Sequence, residues 1–447
     1  MQRMTIEPCL RNLALLAGLF WGLSFAAVAE TEPLTMESAV GQTLARNERA
    51  LIAGEEARAA AARLQQARSF FFPAIEVTST YTRRPYTISR TVGDTSVTIQ
   101  RLNALTTYVD ASLTLFDPDS IPALRQTQFE NRAQQAGSAE TKRLLAFEVC
   151  TAFLTTLGNN RVVEAARHRH ELAVRNLDAA RARFAAGLVS ANDVTRNELE
   201  AASAESALIS ARGQAQAAFL NLGYLLYDDI SGRTLKEPEA LLNEAQAPPP
   251  ASEALAPAAL KLRADIAQLR WHARAQKALV LGPQLNWLPS FSLFGQYRQT
   301  NESGLSGKTS TWSMGVDLSW TVFDGFARFS LFRQRQAQAH VAELDAAAAE
   351  RNVGVQMQEA LTNLTTQQAA LRQADIALEV ARRNADENHE LYRQGLTGAL
   401  QVADAVVRLY EAEVAHVQAR HGLMLSFLNL RLVQGLDPFG KEITYGK

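Results

Sequence analysis

The stretch Phe219-Leu220-Asn221-Leu222 recurs unchanged as Phe427-Leu428-Asn429-Leu430, about 208 residues further along the chain. Shorter pairs repeat at a similar spacing: Val109-Asp110 with Val316-Asp317, and Phe116-Asp117 with Phe323-Asp324. A duplication at nearly constant spacing indicates one structural unit used twice. The unit contains two short alternating segments and two very long helical segments, and its architecture decides the fold.

The alternating segments are predicted as strands at about 74–81, 108–116, 290–297 and 311–322. Their length fits tilted membrane strands of about 9–11 residues, and aromatic residues lie toward their ends. Ordinary half-buried strands show the same alternation, so the pattern alone does not separate a membrane sheet from a soluble one. The polar positions are Glu76, Thr78, Asp110, Asp317 and Ser319.

Between the strands the period changes to that of a helix. Residues 34–68 are predicted as one helix, and 125–186 and about 193–226 as an antiparallel hairpin whose tip lies at 185–193. The second hairpin has its tip at 393–401. A seven-residue apolar repeat indicates a left-handed coiled coil in both copies. Its positions are Ala201, Ala204, Leu208, Ala211, Ala215, Ala218, Leu222 and Leu225, and then Leu409, Ala412, His416, Ala419, Leu423, Ser426, Leu430 and Val433.

The domain organisation follows from these elements. Residues 1–29 are predicted as a cleaved signal peptide, because Arg3 and Arg11 precede an apolar run that ends in a small-x-small site. A short membrane anchor is the alternative. The first repeat spans 30–227, a linker 228–256, the second repeat 257–434 and a tail 435–447.

Charge and cysteine content exclude several classes of function. The formal net charge is −1, and −2 once the signal is removed, so no nucleic-acid partner is expected. Cys9 lies inside the signal before the apolar run, so no lipid anchor is expected. Cys150 is then the single remaining cysteine and is expected to be buried.

Four strands cannot close a barrel, and an open edge in lipid leaves unpaired backbone groups that cost several kcal/mol each. Identical chains must therefore share strands. Two copies give eight strands, which side chains fill, whereas three give twelve, wide enough for a water-filled lumen. The fold class is thus mainly α with a membrane β-barrel part: a homotrimer with a 12-stranded barrel continued by an α-helical barrel.

At this point the chain resembles the TolC-type outer-membrane factor family, also called outer membrane efflux proteins. The residues that carry the likeness are 183–194 and 392–396 at the hairpin tips, the pairs at 116–117 and 323–324, and Arg263-Ala264-Asp265-Ile266, where Ala replaces a proline. The resemblance implies a homotrimer in outer-membrane lipid whose helical tunnel spans the periplasm. It also implies docking to a periplasmic adaptor and to an inner-membrane pump of RND or ABC type.

The resemblance assigns two functions to the hairpin tips. Adaptor docking falls to Gly187, Leu188, Val189, Gly395, Leu396 and Thr397, with the side chains beside the glycines expected to be exposed. A periplasmic gate with an acidic ring falls to Asp193, Gln401 and Asp404, where Gln401 replaces a carboxylate and weakens the ring. Two alternatives stay open: Asp193 is only a helix N-terminal residue, and Asp404 lies only on a solvated helix face.

Catalytic, cofactor and metal motifs are missing from the sequence, so no enzyme, no cofactor and no metal site is expected. His416 is expected to pack in the seam or line the pore. The function predicted is a passive outer-membrane duct of a tripartite efflux pump or a type I secretion system. The alternative is a soluble periplasmic coiled-coil scaffold or adaptor. Drug, metal, solvent and protein cargo all remain open.

Overall fold

The computed structural model describes residues 33–230, 232–249, 252–303 and 306–443. The predicted signal peptide and residues 444–447 of the predicted tail lie outside the described residues. The strands are β1 Ala74–Arg83, β2 Ile88–Val92, β3 Thr95–Gln100, β4 Asn103–Phe116, β5 Ser290–Thr300 and β6 Ser310–Ser319. The helices are α1 Met36–Arg46, α2 Glu48–Ser69, α3 Ser120–Ala185, α4 Ala191–Leu226, α5 Glu239–Gln246, α6 Ser252–Leu262, α7 Ala264–Leu279, α8 Leu281–Leu285, α9 Ala327–Arg393 and α10 Ala399–Gln434.

Four strands form one antiparallel sheet in the order β1-β4-β5-β6, open at both β1 and β6. The register places Glu76 opposite Asp110, Asp110 opposite Gln296, and Gln296 opposite Ser313. This polar row crosses the whole sheet, and the Gln296 amide donates to the Asp110 carboxylate at 2.7 Å. Because side chains alternate between faces, the other face carries the apolar set.

The apolar face is exposed to an unusual degree for a folded chain. Trp312 and Met314 on β6 are 73% and 75% exposed, and eight further large apolar side chains on this face are exposed to solvent as well. The other exposed members of the face are Ile75, Val77, Tyr81, Leu105, Leu293, Tyr297, Val316 and Leu318. A contiguous exposed apolar surface of this kind marks a membrane or protein contact.

Phe294 interrupts the alternation of β5, and its neighbour across the sheet explains how it fits. Its ring lies on the polar face against Gly315 of β6. A Cβ at Gly315 would lie 2.8 Å from the Phe294 ring, closer than side chains approach one another. Glycine at position 315 therefore gives this ring its space.

The helices form a wall four helices wide, and α9 is at one edge of it both near the sheet and toward the hairpin tips. Near the sheet the packing order is α2-α3-α7-α9, and toward the tips it is α4-α3-α10-α9. At 1.5 Å per residue, α3 with its 66 residues and α9 with its 67 each extend about 100 Å. In each half α9 is one edge of the wall, and α2 or α4 is the other.

Midway along the wall the core is thickest, where the shorter helices α5 and α6 pack against the long ones. Phe153, Leu222, Leu364 and Leu428 are fully buried there, together with Ile266 of α7. Most of the predicted seam is buried as well, and its remaining positions, such as Ala201 and His416, are half-buried. The midpoint cluster therefore joins the two repeats in one core.

Three local features differ from the sequence expectation. The single helix expected over 34–68 is broken at Asn47, which caps α2 through Arg49 N and donates to the Leu225 carbonyl at 3.1 Å. Between the strands predicted at 74–81 and 108–116, where no element was predicted, the chain forms the hairpin β2–β3, which turns at Gly93 with φ 64°. β6 ends at Ser319 rather than at 322.

The two strand-to-helix junctions are built differently. β4 passes to α3 through residues 117–119, whereas β6 passes to α9 through 320–326, with Gly325 and Phe326 both at φ 67°. Arg328 fixes this second junction: its Nε donates to Asp324 at 2.8 Å and its Nη1 to the Asn286 carbonyl at 2.8 Å. The sheet is thereby held rigidly at the head of the helical wall.

Candidate functional site

The tips of the two helical hairpins, with the first turns of the helices that follow them, contain all the residues predicted for docking and gating. Gly187 with φ 72° lies in the turn after α3, and Gly395 with φ 76° lies in the turn after α9. In both turns the glycine N–H donates to the carbonyl three residues earlier. The next N–H donates to the carbonyl five residues earlier, from Leu188 to Arg183 and from Leu396 to Leu391, each at 2.9 Å. This closed turn needs a left-handed residue, which glycine adopts without strain.

Two leucines project from these turns. Leu188 is 74% exposed and Leu396 is 71% exposed, so each turn presents a large apolar side chain to solvent. Their neighbours Val189 and Thr397 are half-buried, and are therefore less available than expected. A protein that docks on the tips would bury the leucines first.

The first tip is strongly capped at the start of α4. Ser190 and Asp193 form a reciprocal capping box, with Asp193 Oδ2 accepting from the Ser190 amide at 3.1 Å and from its hydroxyl at 2.9 Å. Such a cap stabilises a helix by about 1 kcal/mol. The Asp193 carboxylate therefore has a structural role in its own helix, whatever it does in a gate.

The second tip lacks an equivalent cap. Gly398 occupies the N-cap of α10 and makes no side-chain hydrogen bond, and Gln401 stands where Asp193 stands in the first tip. Gln401 is exposed, and Asp404, one turn further on, pairs with Arg408 at 2.9 Å in an exposed i,i+4 ion pair. Within one chain Asp193 and Asp404 thus bond inside their own helices rather than to each other.

Arg183 and Tyr392 connect the two tips, and the sequence analysis gave neither of them a role. The Arg183 guanidinium lies 4.3 Å from the centre of the Tyr392 ring, and its Nη1 donates to the Tyr392 carbonyl at 3.3 Å. The last turn of α3 is thereby fastened to the last turn of α9. A cation beside a helix C-terminus is also favoured by the helix dipole.

Beneath this contact lies a small apolar cluster that orients the second tip. Tyr392 packs with Ala399, Val402 and Val406, and Leu172 of α3 covers them from the first hairpin. The Tyr392 hydroxyl is buried and has no hydrogen-bond partner among the described residues. The hairpins are therefore in register with each other through packing as well as through Arg183.

One sequence signal pointed to Tyr392. The position equivalent to Tyr392 in the first repeat is Phe184, so the repeat preserves an aromatic ring while only the second copy adds a hydroxyl. No spacing rule could have paired Arg183 with a residue more than 200 positions away. That contact depends on how the hairpins pack.

The remaining chemistry of the chain is structural. No group of three or more His, Cys, Asp or Glu residues within the described ranges is arranged to hold a metal ion. Burial raises the pKa of the Cys150 thiol to about 12. His416 is half-buried in the seam and pairs with Asp375 at 3.0 Å. Among the helices that the structure describes, none is long and apolar enough to cross a membrane.

A sheet with one exposed apolar face, continued by helices about 100 Å long, defines an outer-membrane channel protein with a periplasmic extension. The model of the outer membrane efflux protein family matches residues 39–226 and 255–436, and the chain belongs to this family. The family is one of transport ducts rather than enzymes, and it places the protein in the outer membrane. The soluble scaffold is not favoured.

Individual relatives agree with this assignment. TolC of Vibrio cholerae is 26% identical over 328 residues, which cover 68% of this chain and 71% of TolC. The fold is similar to that of the CmeC outer membrane channel of Campylobacter jejuni, with a TM-score of 0.76 at 15% identity over 97% of this chain and 95% of that one. The MtrE outer membrane channel of Neisseria gonorrhoeae gives 0.73 at 16% identity over 92% and 91%.

Proposed function

We propose that three copies of this chain form a passive duct, with a 12-stranded barrel in the outer membrane and an α-helical barrel in the periplasm. One observation carries the proposal: the sheet exposes an apolar face, yet both of its edges, β1 and β6, are open. In lipid each unpaired backbone group costs several kcal/mol. Pairing β6 of one copy with β1 of the next removes every open edge.

The helical wall supports the same closure. Exposed apolar side chains line both of its edges toward the tips, where a neighbouring copy would cover them. On α4 they are Leu199, Ile209, Leu220 and Tyr224. On α9 they are Ile376, Val380 and Leu391, and Val341, Leu344 and Val355 continue the stripe toward the sheet, where α2 is the opposite edge. Since α4 and α9 lie at opposite edges, the α9 stripe of one copy faces the α4 stripe of the next when the ring closes.

The number of copies follows from the lumen. Eight strands enclose a space that side chains fill, but the row from Glu76 to Ser313 is polar and suits water. Twelve strands leave an aqueous lumen. Three copies also give a helical barrel of twelve helices at every level, matching the strand number.

The tips form the periplasmic end of the duct. Leu188 and Leu396 dock to a periplasmic adaptor, and Val189 and Thr397 complete the contact from their half-buried positions. Asp193, Gln401 and Asp404 line the entrance, and the contact between Arg183 and Tyr392 holds it in its resting arrangement. An inner-membrane pump of RND or ABC type supplies the energy and selects the cargo.

Assembly is tested on the full chain expressed with its leader and extracted from outer membranes. The expected product is a detergent-solubilised species that migrates as a trimer unheated and as a monomer after boiling, with three times the chain mass in native mass spectrometry. A stable monomer that stays soluble without detergent would overturn the proposal.

Docking is tested at the tip glycines. Gly187→Glu and Gly395→Glu are expected to abolish efflux while the trimer still assembles, because they place charge beside Leu188 and Leu396. Gly187→Asn separates backbone strain from charge, since Asn tolerates a left-handed conformation. Gly41→Glu is the control, because Gly41 is an exposed residue of α1 away from the tips and a Cβ there meets nothing within 4 Å. Normal efflux from the tip variants would remove docking from these turns.

A further inference from the structure

The end of the sheet farthest from the helices is basic. Residues 82–102 and 299–309 carry five cationic side chains against two carboxylates, in a chain whose formal net charge is −1. The cationic residues are Arg83, Arg84, Arg90, Arg101 and Lys308, and the carboxylates are Asp94 and Glu302. The excess of positive charge is local to this end of the sheet, which therefore favours contact with an anion.

One of the arginines is occupied within the protein. Arg84 forms an ion pair with Glu302, which also accepts from the Arg101 backbone N–H at 2.7 Å. These hydrogen bonds lower the pKa of the Glu302 carboxyl and so keep it charged. The ion pair ties the loop after β5 to the segment that follows β1, and the bond from Arg101 ties the same loop to the segment that follows β3. The Arg84 side chain therefore has an anionic partner within the protein, and three other arginine side chains of this end remain to be considered.

Arg83, Arg90 and Arg101 have exposed side chains. None of the carboxylates that the structure describes forms an ion pair with them, although Glu302 lies close to the Arg101 backbone. An arginine on a solvated surface needs no partner. Among the three, Arg83 lies on the four-stranded sheet, where its position relative to the apolar face is informative, whereas Arg90 on β2 and Arg101 after β3 belong to the hairpin that follows it.

Arg83 ends the outward row of β1. The row contains Ile75, Val77 and Tyr81, and the next residue on the same face is Arg83, opposite Asn103 of β4. The Tyr81 hydroxyl donates to the Asn103 side chain at 2.9 Å and marks where the apolar face becomes polar. At about 3.4 Å per residue, Arg83 lies roughly 7 Å beyond Tyr81.

The height of the apolar band fits a bilayer. On β4 it extends from Leu105 to Leu113, about 27 Å along the strand, which corresponds to a height of about 21 Å for a strand tilted by about 40°. Membrane barrels have an apolar band about 25 Å tall, with polar headgroups directly beyond it. Arg83 therefore sits at the level of the headgroups, on the side of the membrane away from the periplasmic helices.

We infer that Arg83, with Arg90 and Arg101, binds the phosphate groups of anionic lipid in the outer leaflet. The inference rests on the proposed function, which embeds this face in the outer membrane. A guanidinium matches a phosphate with two parallel hydrogen bonds. Each basic side chain near an anionic lipid surface strengthens binding about fivefold, and a trimer carries nine of these arginines.

The test uses purified trimer in a neutral detergent and two probes that differ by one phosphate, bisphosphorylated and monophosphorylated lipid A. Native mass spectrometry counts the lipid molecules retained. The parent is expected to retain the bisphosphorylated form preferentially. The variant Arg83→Gln, Arg90→Gln, Arg101→Gln is expected to lose at least tenfold in affinity for it. Arg298→Gln is the control, since Arg298 alternates to the polar face of β5.

Equal retention by the parent and the triple variant would overturn the inference, as would equal retention of the two probes by the parent. If inorganic phosphate competes as well as lipid does, the site takes a free anion and the lipid assignment is wrong. Should the triple variant not assemble, retention by the parent is measured against NaCl concentration, and a retention that salt does not weaken contradicts the inference. Trimer assembly is scored on the same samples, so failure of the proposed function is seen separately.

Discussion

The contact between Arg183 and Tyr392 predicts how tightly the resting duct is closed. If the two hairpin tips must part for the entrance to widen, this contact opposes opening in every copy. Arg183→Gln removes the charge and the ring contact while keeping a polar side chain of similar reach. The resting conductance of the reconstituted trimer is expected to rise.

The free energy that the link between Arg183 and Tyr392 contributes follows from its geometry. A guanidinium 4.3 Å from a ring centre contributes about 0.5–2 kcal/mol, and more when desolvated. The 3.3 Å hydrogen bond to the Tyr392 carbonyl is long and adds about 0.5 kcal/mol. The link thus contributes roughly 1–2.5 kcal/mol per copy, which corresponds to about a fivefold to sixtyfold change in the opening equilibrium.

Planar-bilayer recordings of purified trimers measure this change. Arg181→Gln is the matched control, because Arg181 pairs with Glu198 at 2.9 Å inside the first hairpin and does not touch the second. Combining Arg183→Gln with Tyr392→Leu gives a double-mutant cycle that isolates the contact between guanidinium and ring, because the hydrogen bond to the Tyr392 backbone carbonyl survives Tyr392→Leu. Identical resting conductance for Arg183→Gln, Arg181→Gln and the parent would refute the reasoning.

Three further outcomes are expected. Asp404→Ala is expected to lower cation preference in planar bilayers without a measurable loss of stability, because its ion pair with Arg408 is exposed to solvent. Unchanged selectivity would remove Asp404 from the gate. Cys150, buried and with its pKa raised to about 12, resists maleimide in the native trimer and reacts after denaturation; rapid native labelling contradicts the packing. Burial lowers the pKa of His421 below 6.5, so the unfolded chain binds a proton more readily than the folded one as the pH drops below 6.5. The melting temperature should therefore fall as the pH drops from 6.5 toward the pKa of His421 in the folded protein. His421→Gln should reduce this dependence of the melting temperature on pH, and His340→Gln should not.

The regular elements could be predicted from sequence because they depend on local periodicity. Alternation over 311–322 and the heptads of 201–225 are properties of neighbouring residues, and each period identifies one kind of element. The hairpin β2–β3, which was not predicted, also carries a local signal, because Gly93-Asp94 between two extended segments is typical of a two-residue turn.

Contacts between distant segments could not be predicted in this way. The break at Asn47 carries a local cap signal, but its bond to the Leu225 carbonyl depends on how α4 packs against α1. The pairing of Arg183 with Tyr392 likewise depends on the register of two hairpins. For the same reason Val189 and Thr397 were predicted to be exposed, whereas both are half-buried once the turns close.

The two tips are copies of one turn, and their differences predict which of them moves. The first tip starts α4 with the capping box of Ser190 and Asp193, worth about 1 kcal/mol, whereas Gly398 starts α10 with no side-chain cap. The second tip is instead held from outside, by Arg183. We therefore expect the backbone amides of 396–402 to exchange hydrogen faster than those of 188–194, and Arg183→Gln to accelerate exchange at 396–402 alone. Gly398→Ser, which introduces a side-chain cap, should slow exchange at 396–402. Equal exchange at the two tips would mean that the capping difference does not determine which hairpin opens.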